Sequence, residues 1–147
     1  MRALDLLRAD HRALQALFEQ TRGTADFMER RELFEEIRDA LEPHLALEEE
    51  VFYPAFSSPS HGDWSEVIGE AVEDHRLLQE MLGELSQVSD REDFSDLLDE
   101  LVESIEDHFT EEEELFASLV PLLAEIQWEG VALAMEQYRA ASLRGAA

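Results

Sequence analysis

The sequence repeats itself at an offset of 64 residues, and that self-similarity constrains the fold more than any single-residue propensity. Asp10, His11, Arg12, Leu14 and Gln15 recur as Asp74, His75, Arg76, Leu78 and Gln79. Further on, His44, Glu48, Glu49, Glu50 and Phe52 recur as His108, Glu112, Glu113, Glu114 and Phe116. Each copy reads as a pair of helices that cannot bury its apolar face alone. Two copies therefore pack into a pseudo-twofold bundle.

Helical periodicity fills in the elements. Leu4, Leu7, His11, Leu14 and Phe18 fall at steps of three and four, the stripe of a first helix that ends near Gly23. A second helix is expected over 26–56, a third over 64–88 with Ile68, Val72, His75, Leu78 and Leu82 inward, and a fourth over 93–120. Pro43 lies inside the second helix, where it removes a hydrogen bond and crowds the preceding turn. A kink or break is expected just before His44. Residues 57–62, with Ser, Pro and Gly, form the link between the copies, and His61 there has no counterpart. The expectation is an all-α, antiparallel up-down four-helix bundle over 1–121. A short further helix and tail over 122–147 would pack on or extend the same domain.

In each copy a histidine and a glutamate lie four apart, rotated by about 40° and separated by about 6 Å along the axis, so they share a face. His44 with Glu48, and His108 with Glu112, lie in line with Leu, Ile, Val and Phe. An ionised carboxylate buried without a partner costs several kcal/mol or takes up a proton, so a cation is the natural compensation. The chain has no cysteine, and any metal must bind through His, carboxylate or water. Four imidazoles and two carboxylates fit two first-row ions, and iron, manganese and zinc all accept such a set. Glu49, Glu50, Glu111 and Glu114 read as solvated, with Glu113 an alternative to Glu112. Tyr53, Trp64, Trp128 and Tyr138 read as packing residues, and Met28, Met81 and Met135 as gap fillers.

A lone His, a His-x-x-x-Glu, a second lone His and a second His-x-x-x-Glu, spread over His11 to Phe116, resemble the hemerythrin-like (HHE cation-binding) family. The run Glu48-Glu49-Glu50-Val51-Phe52-Tyr53-Pro54 is similar to the family's usual sequence at and after the glutamate of its first His-x-x-x-Glu. The resemblance implies an oxo- or hydroxo-bridged di-iron centre that binds or reacts with dioxygen, peroxide or nitric oxide. It implies His11, His44, His75 and His108 as terminal ligands, with Glu48 and Glu112 bridging. Oxygen-carrying members have a fifth histidine one turn from the third-helix ligand, where this chain has Ala71 and Gln79. That departure speaks against simple oxygen carriage and for redox chemistry or sensing; a redox or scavenging role is the first reading, with a non-enzymatic oxygen- or iron-binding or sensing module as the alternative.

Other chemistries find no foothold. Glu-x-x-His of ferritin-like bundles is missing, as are His-Glu-x-x-His, phosphate loops and EF-hand loops. A formal charge of −25 opposes nucleic acid and anionic membranes. No run approaches the roughly 20 apolar residues of a membrane span, and the N-terminus lacks signal-peptide features. A cytoplasmic location is the resulting expectation. The sequence leaves the oligomeric state open.

Overall fold

The first helix forms on the stripe that its spacing dictates. In the computed structural model, which describes residues 2–119 and 127–146, α1 (Arg2–Arg22) buries Leu4, Leu7, His11, Leu14 and Phe18. Asp26 starts α2 (Phe27–Leu47) by accepting the backbone N–H of Glu29 at 3.0 Å. A π-helical turn (Glu48–Phe52) and two 3₁₀ turns (Tyr53–Phe56 and Pro59–His61) lead to α3 (Ser65–Gln87). Asp90 accepts the N–H of Asp93 at 2.9 Å and opens α4 (Arg91–Leu119), and α5 (Trp128–Ala146) closes the chain. No strand occurs among the described residues. The expected end of the fourth helix at Val120, and Pro121 beyond it, lie outside them.

The helices make an up-down four-helix bundle, with α1 against α2, α3 against α4, and both α1 and α2 touching α4. α5 lies along α1 and reaches α2 and the π turn. Two apolar clusters form the interior. One gathers Leu14, Phe18, Phe34, Ile37, Leu41, Leu98 and Ile105. The other gathers Leu4, Leu7, Phe52, Phe56, Phe116, Trp128 and Met135. In α1, His11 falls between Leu7 of one cluster and Leu14 of the other, and in α4 His108 and Glu112 fall between Ile105 and Phe116. The histidine layer is thus sandwiched by hydrocarbon. Each buried Leu, Ile or Phe contributes roughly 1.5–3 kcal/mol, so two such clusters can support a polar layer costing several kcal/mol.

Pro43 does not break α2, which runs on through His44 to Leu47. Pro43 and Asp39, whose carbonyl loses its partner, both lie on the exposed face, so water can satisfy that carbonyl. The departure from α geometry comes instead at Glu48, where the backbone N–H of Tyr53 bonds the carbonyl of Glu48 five residues back. Val72, expected inward, is 40% exposed. The inner stripe of α3 runs back from His75 by four residues to the partly buried Ala71 rather than by three. Met28, expected to fill a gap, is 60% exposed in the first turn of α2.

Candidate metal centre

Each helix of the bundle delivers histidine or glutamate to one buried layer. α1 carries His11, α2 carries His44, α3 carries His75, and α4 carries His108 with Glu112 one turn on. Glu48 begins the π turn. All six are at most 4% exposed. Ligand atoms of His11, His44, Glu48 and Glu112 lie within 4.8 Å of one another, and so do those of Glu48, His75, His108 and Glu112. The two glutamates belong to both sets, which is the geometry of a pair of carboxylates between two cation positions.

The contacts are close. His11 Nε2 lies 2.7 Å from Glu112 Oε2, His44 Nε2 lies 3.3 Å from Glu48 Oε1, and His108 Nε2 lies 3.2 Å from Glu112 Oε1. His75 Nε2 is 3.3 Å from Glu48 Oε1 and 3.0 Å from His108 Nε2. Yet His11 Nε2, His44 Nε2, both oxygens of Glu48 and Glu112 Oε2 are buried without an aligned hydrogen bond. Buried nitrogen and oxygen atoms that converge without aligned hydrogen bonds are what a cation would satisfy, and the donor set of nitrogen and carboxylate oxygen suits a first-row metal.

Electrostatics support the same view. Burial, and then the neighbouring Glu112, push the Glu48 carboxyl well above the usual range. Glu112 is held well below it: burial opposes ionisation, but contacts with Glu48, His108, His11 and His44 outweigh that. Burial and the adjacent His108 lower His75 to about 3. Without a cation the layer therefore keeps a proton on one carboxyl and a neutral His75, a compromise that two dications would relieve.

Behind the inner atoms stands a row of carboxylates. His44 Nδ1 donates to Asp10 Oδ2 at 2.8 Å, and Asp10 also receives Arg139 of α5. His108 Nδ1 faces Asp74 Oδ2 at 3.6 Å, and His75 Nδ1 faces Glu49 Oε1 at 3.5 Å. Such partners fix a histidine's tautomer and ring direction. Glu49, expected to be solvated, is thus turned partly inward. Glu113 points away and pairs with Arg8 at 3.2 Å, leaving Glu112 as the inward residue. His61 stays in the link and joins none of these groups.

Sequence reasoning missed Tyr53. Its side chain is buried, and its hydroxyl donates to Glu112 Oε1 at 3.3 Å and lies 3.3 Å from His75 Nε2. At 100° per residue Tyr53 would sit about 140° away from Glu48. The π turn, which bonds Tyr53 N–H to Glu48 O, brings it back over the centre. The signal that was available for the outer row was the repeat itself, because Asp10 and Asp74 obey the same offset as the histidines.

Comparison with known proteins agrees with this fold. Residues 2–120 match the hemerythrin HHE cation binding domain. The chain is 32% identical over 131 residues to a DNA nickase of Nostoc sp., covering 88% of this chain and 36% of that protein. It is 30% identical over 114 residues to an uncharacterised hemerythrin-like protein of Schizosaccharomyces pombe, covering 77% of this chain and 56% of the other. It therefore spans only about a third to a half of the length of these relatives. The crystal structure of a hemerythrin HHE cation binding domain-containing protein from Mycobacterium kansasii superposes with a TM-score of 0.72 at 26% identity, over 95% of this chain and 88% of that one. With its four-helix bundle, its buried His and Glu layer and a match across most of its length, the chain belongs to the hemerythrin HHE cation-binding family.

Proposed function

We propose that the protein is a non-haem di-iron protein whose centre binds or reacts with dioxygen, peroxide or nitric oxide, in scavenging or stress response. The observation that carries this reading is the convergence of four imidazole Nε2 atoms on two shared, fully buried carboxylates. His11 and His44 would hold one ion and His75 and His108 the other, with Glu48 and Glu112 touching both. Two iron ions so held supply one-electron redox changes and positions for a small ligand.

The chain's own residues support that use. The apolar clusters on either side of the layer exclude bulk water. A cavity of about 290 Å³ lined by Trp64, Ala71, Asp74, His108, Glu112 and Leu115 opens beside α3 and α4 and gives a small molecule a way in. Tyr53 sets a hydroxyl at the same place, and burial, followed by the adjoining Glu48 and Glu112 carboxyls, keeps it protonated, so it acts as a hydrogen-bond donor. No helix among the described residues is long and apolar enough to cross a membrane. The charge of −25 argues against a nucleic-acid role here, and the activity in the name of the Nostoc relative belongs to a protein of which this chain spans 36%.

The test is iron loading followed by exposure to peroxide, nitric oxide and air. About two iron per chain, with turnover of peroxide or nitric oxide that is lost in His44→Ala, is the expected result. Reversible oxygen binding without turnover would favour a sensing or storage module, and failure to take up iron would remove the di-iron reading.

A further inference from the structure

α5 lies beyond the residues that match the family, 2–120, and the internal repeat has no third copy to explain it. Its inner face is a stripe at steps of four, three and four: Trp128, Ala132 and Met135 are buried in the cluster that also holds Ala3, Leu4 and Leu7 of α1. The next residue on that stripe is Arg139. It meets Asp10, the next position on the matching stripe of α1, through both arms of its guanidinium, with Nη1 at 3.1 Å from Oδ1 and Nη2 at 2.6 Å from Oδ2. Asp10 Oδ2 in turn accepts His44 Nδ1 at 2.8 Å.

The chain of contacts Arg139 to Asp10 to His44 fixes a proton. With Nδ1–H given to Asp10, the lone pair of His44 is left on Nε2, the atom that faces Glu48 and Glu112. A planar fork suits this task because two parallel hydrogen bonds set the carboxylate's rotation, which a single lysine contact does not. The other copy lacks the device. Asp74 stands 3.6 Å from His108 Nδ1, is 38% exposed, and has Glu111 rather than an arginine grouped with it among the described residues.

We infer that α5 braces one half of the centre, Arg139 acting through Asp10 as a positioning residue for His44, so that the His11/His44 position binds a divalent cation more tightly and fills before the His75/His108 position. This rests on the two-cation reading above. The Arg139–Asp10 pair is partly exposed and contributes little to folding by itself. Its effect is on the ring that must be presented to the metal.

The experiment titrates the full, metal-free chain with Co²⁺ against a chelator, following the visible spectrum. Wild type takes up two ions in two resolved steps. Arg139→Gln weakens the first step by about ten- to a hundredfold, the usual range for a lost outer partner, and leaves the second unchanged. Asp10→Asn does the same, and combining the two adds nothing further, because Arg139 works through Asp10. Arg139→Lys recovers part of the loss. In the Co²⁺-loaded protein the hyperfine-shifted Nδ1–H proton of His44, held by Asp10, resists solvent exchange in wild type and exchanges rapidly in Arg139→Gln, a change that a merely structural role would not produce. Equal weakening of both steps, additive losses, or a wild-type first step in Arg139→Gln overturns the brace. Absence of any Co²⁺ uptake by wild type sinks the centre itself and the brace with it, whereas two ions bound with no response at Arg139 sinks the brace alone.

Discussion

The two copies of the repeat supply the same inner atoms but support them differently. In the first copy the outer carboxylate, Asp10, touches His44 at 2.8 Å and is gripped by Arg139. In the second, Asp74 stands back at 3.6 Å beside a cavity that reaches His108 and Glu112. After Glu48 the chain widens into a π turn that swings Tyr53 over the centre. After Glu112 the α-helix continues to Leu119, and Ala117, the counterpart of Tyr53, is exposed. A duplicated ligand set, then, does not make a symmetric site. The first copy contributes the tightly held ligand and the extra hydroxyl, and the second contributes a looser outer partner beside a cavity.

Predictions that strain this comparison can be ordered by size. The largest effect belongs to what the halves share. Glu112→Ala removes a ligand from both positions and should reduce iron, measured by elemental analysis, from about two per chain to below one, while His75→Ala should leave about one. Equal losses in both variants would mean that the glutamate is not shared.

Next comes Glu48. Its folded carboxyl is raised by burial and by Glu112, against 4.5 for an ordinary glutamate. A raised carboxyl keeps its contribution below about 4.5 and loses it as the pH climbs through the folded value, so above about pH 4.5 the metal-free protein is progressively destabilised by the proton that a buried Glu48 must hold on folding. Glu48→Gln should therefore stabilise the metal-free chain at pH 8 by about 2 kcal/mol in chemical denaturation, with a smaller gain at pH 5, and should also weaken loading of both positions. Destabilisation at pH 8 would show that the buried carboxylate is already satisfied.

A smaller effect is expected at Tyr53. Tyr53→Phe keeps the ring and removes a 3.3 Å hydrogen bond, at a cost of about 1 kcal/mol of stability, with iron content unchanged and reaction with peroxide slowed about tenfold. Unchanged kinetics would return Tyr53 to a packing role. The smallest change is Pro43→Ala, where the second copy has Asp107. Restoring one hydrogen bond on an exposed face should raise the thermal midpoint by a few degrees without altering metal content.

Much of this was legible in the letters. The 64-residue offset and the steps of three and four gave the bundle, and the two i, i+4 pairs together with the two lone histidines at the same offset marked the six residues that the fold brings together, because all these signals are periodic. The features that were not legible break periodicity. Tyr53 is hidden by a turn with a different residue count from an α-helix. Pro43 leaves α2 unbroken because its effect depends on which face is wet. The contact of Arg139 with Asp10 spans 129 residues, and nothing in either segment announces the other. Asp10 and Asp74 were visible as repeated letters, but their separation into a tight and a loose partner depends on α5.

The most direct test of the central claim is a crystal structure of protein grown in iron-rich medium, with anomalous data collected across the iron edge. Two anomalous peaks are expected inside the bundle, one beside His11 and His44 and one beside His75 and His108, each within bonding distance of Glu48 and Glu112. A bundle with no anomalous density between those histidines, and with Glu48 hydrogen-bonded to protein or water instead, would contradict that claim.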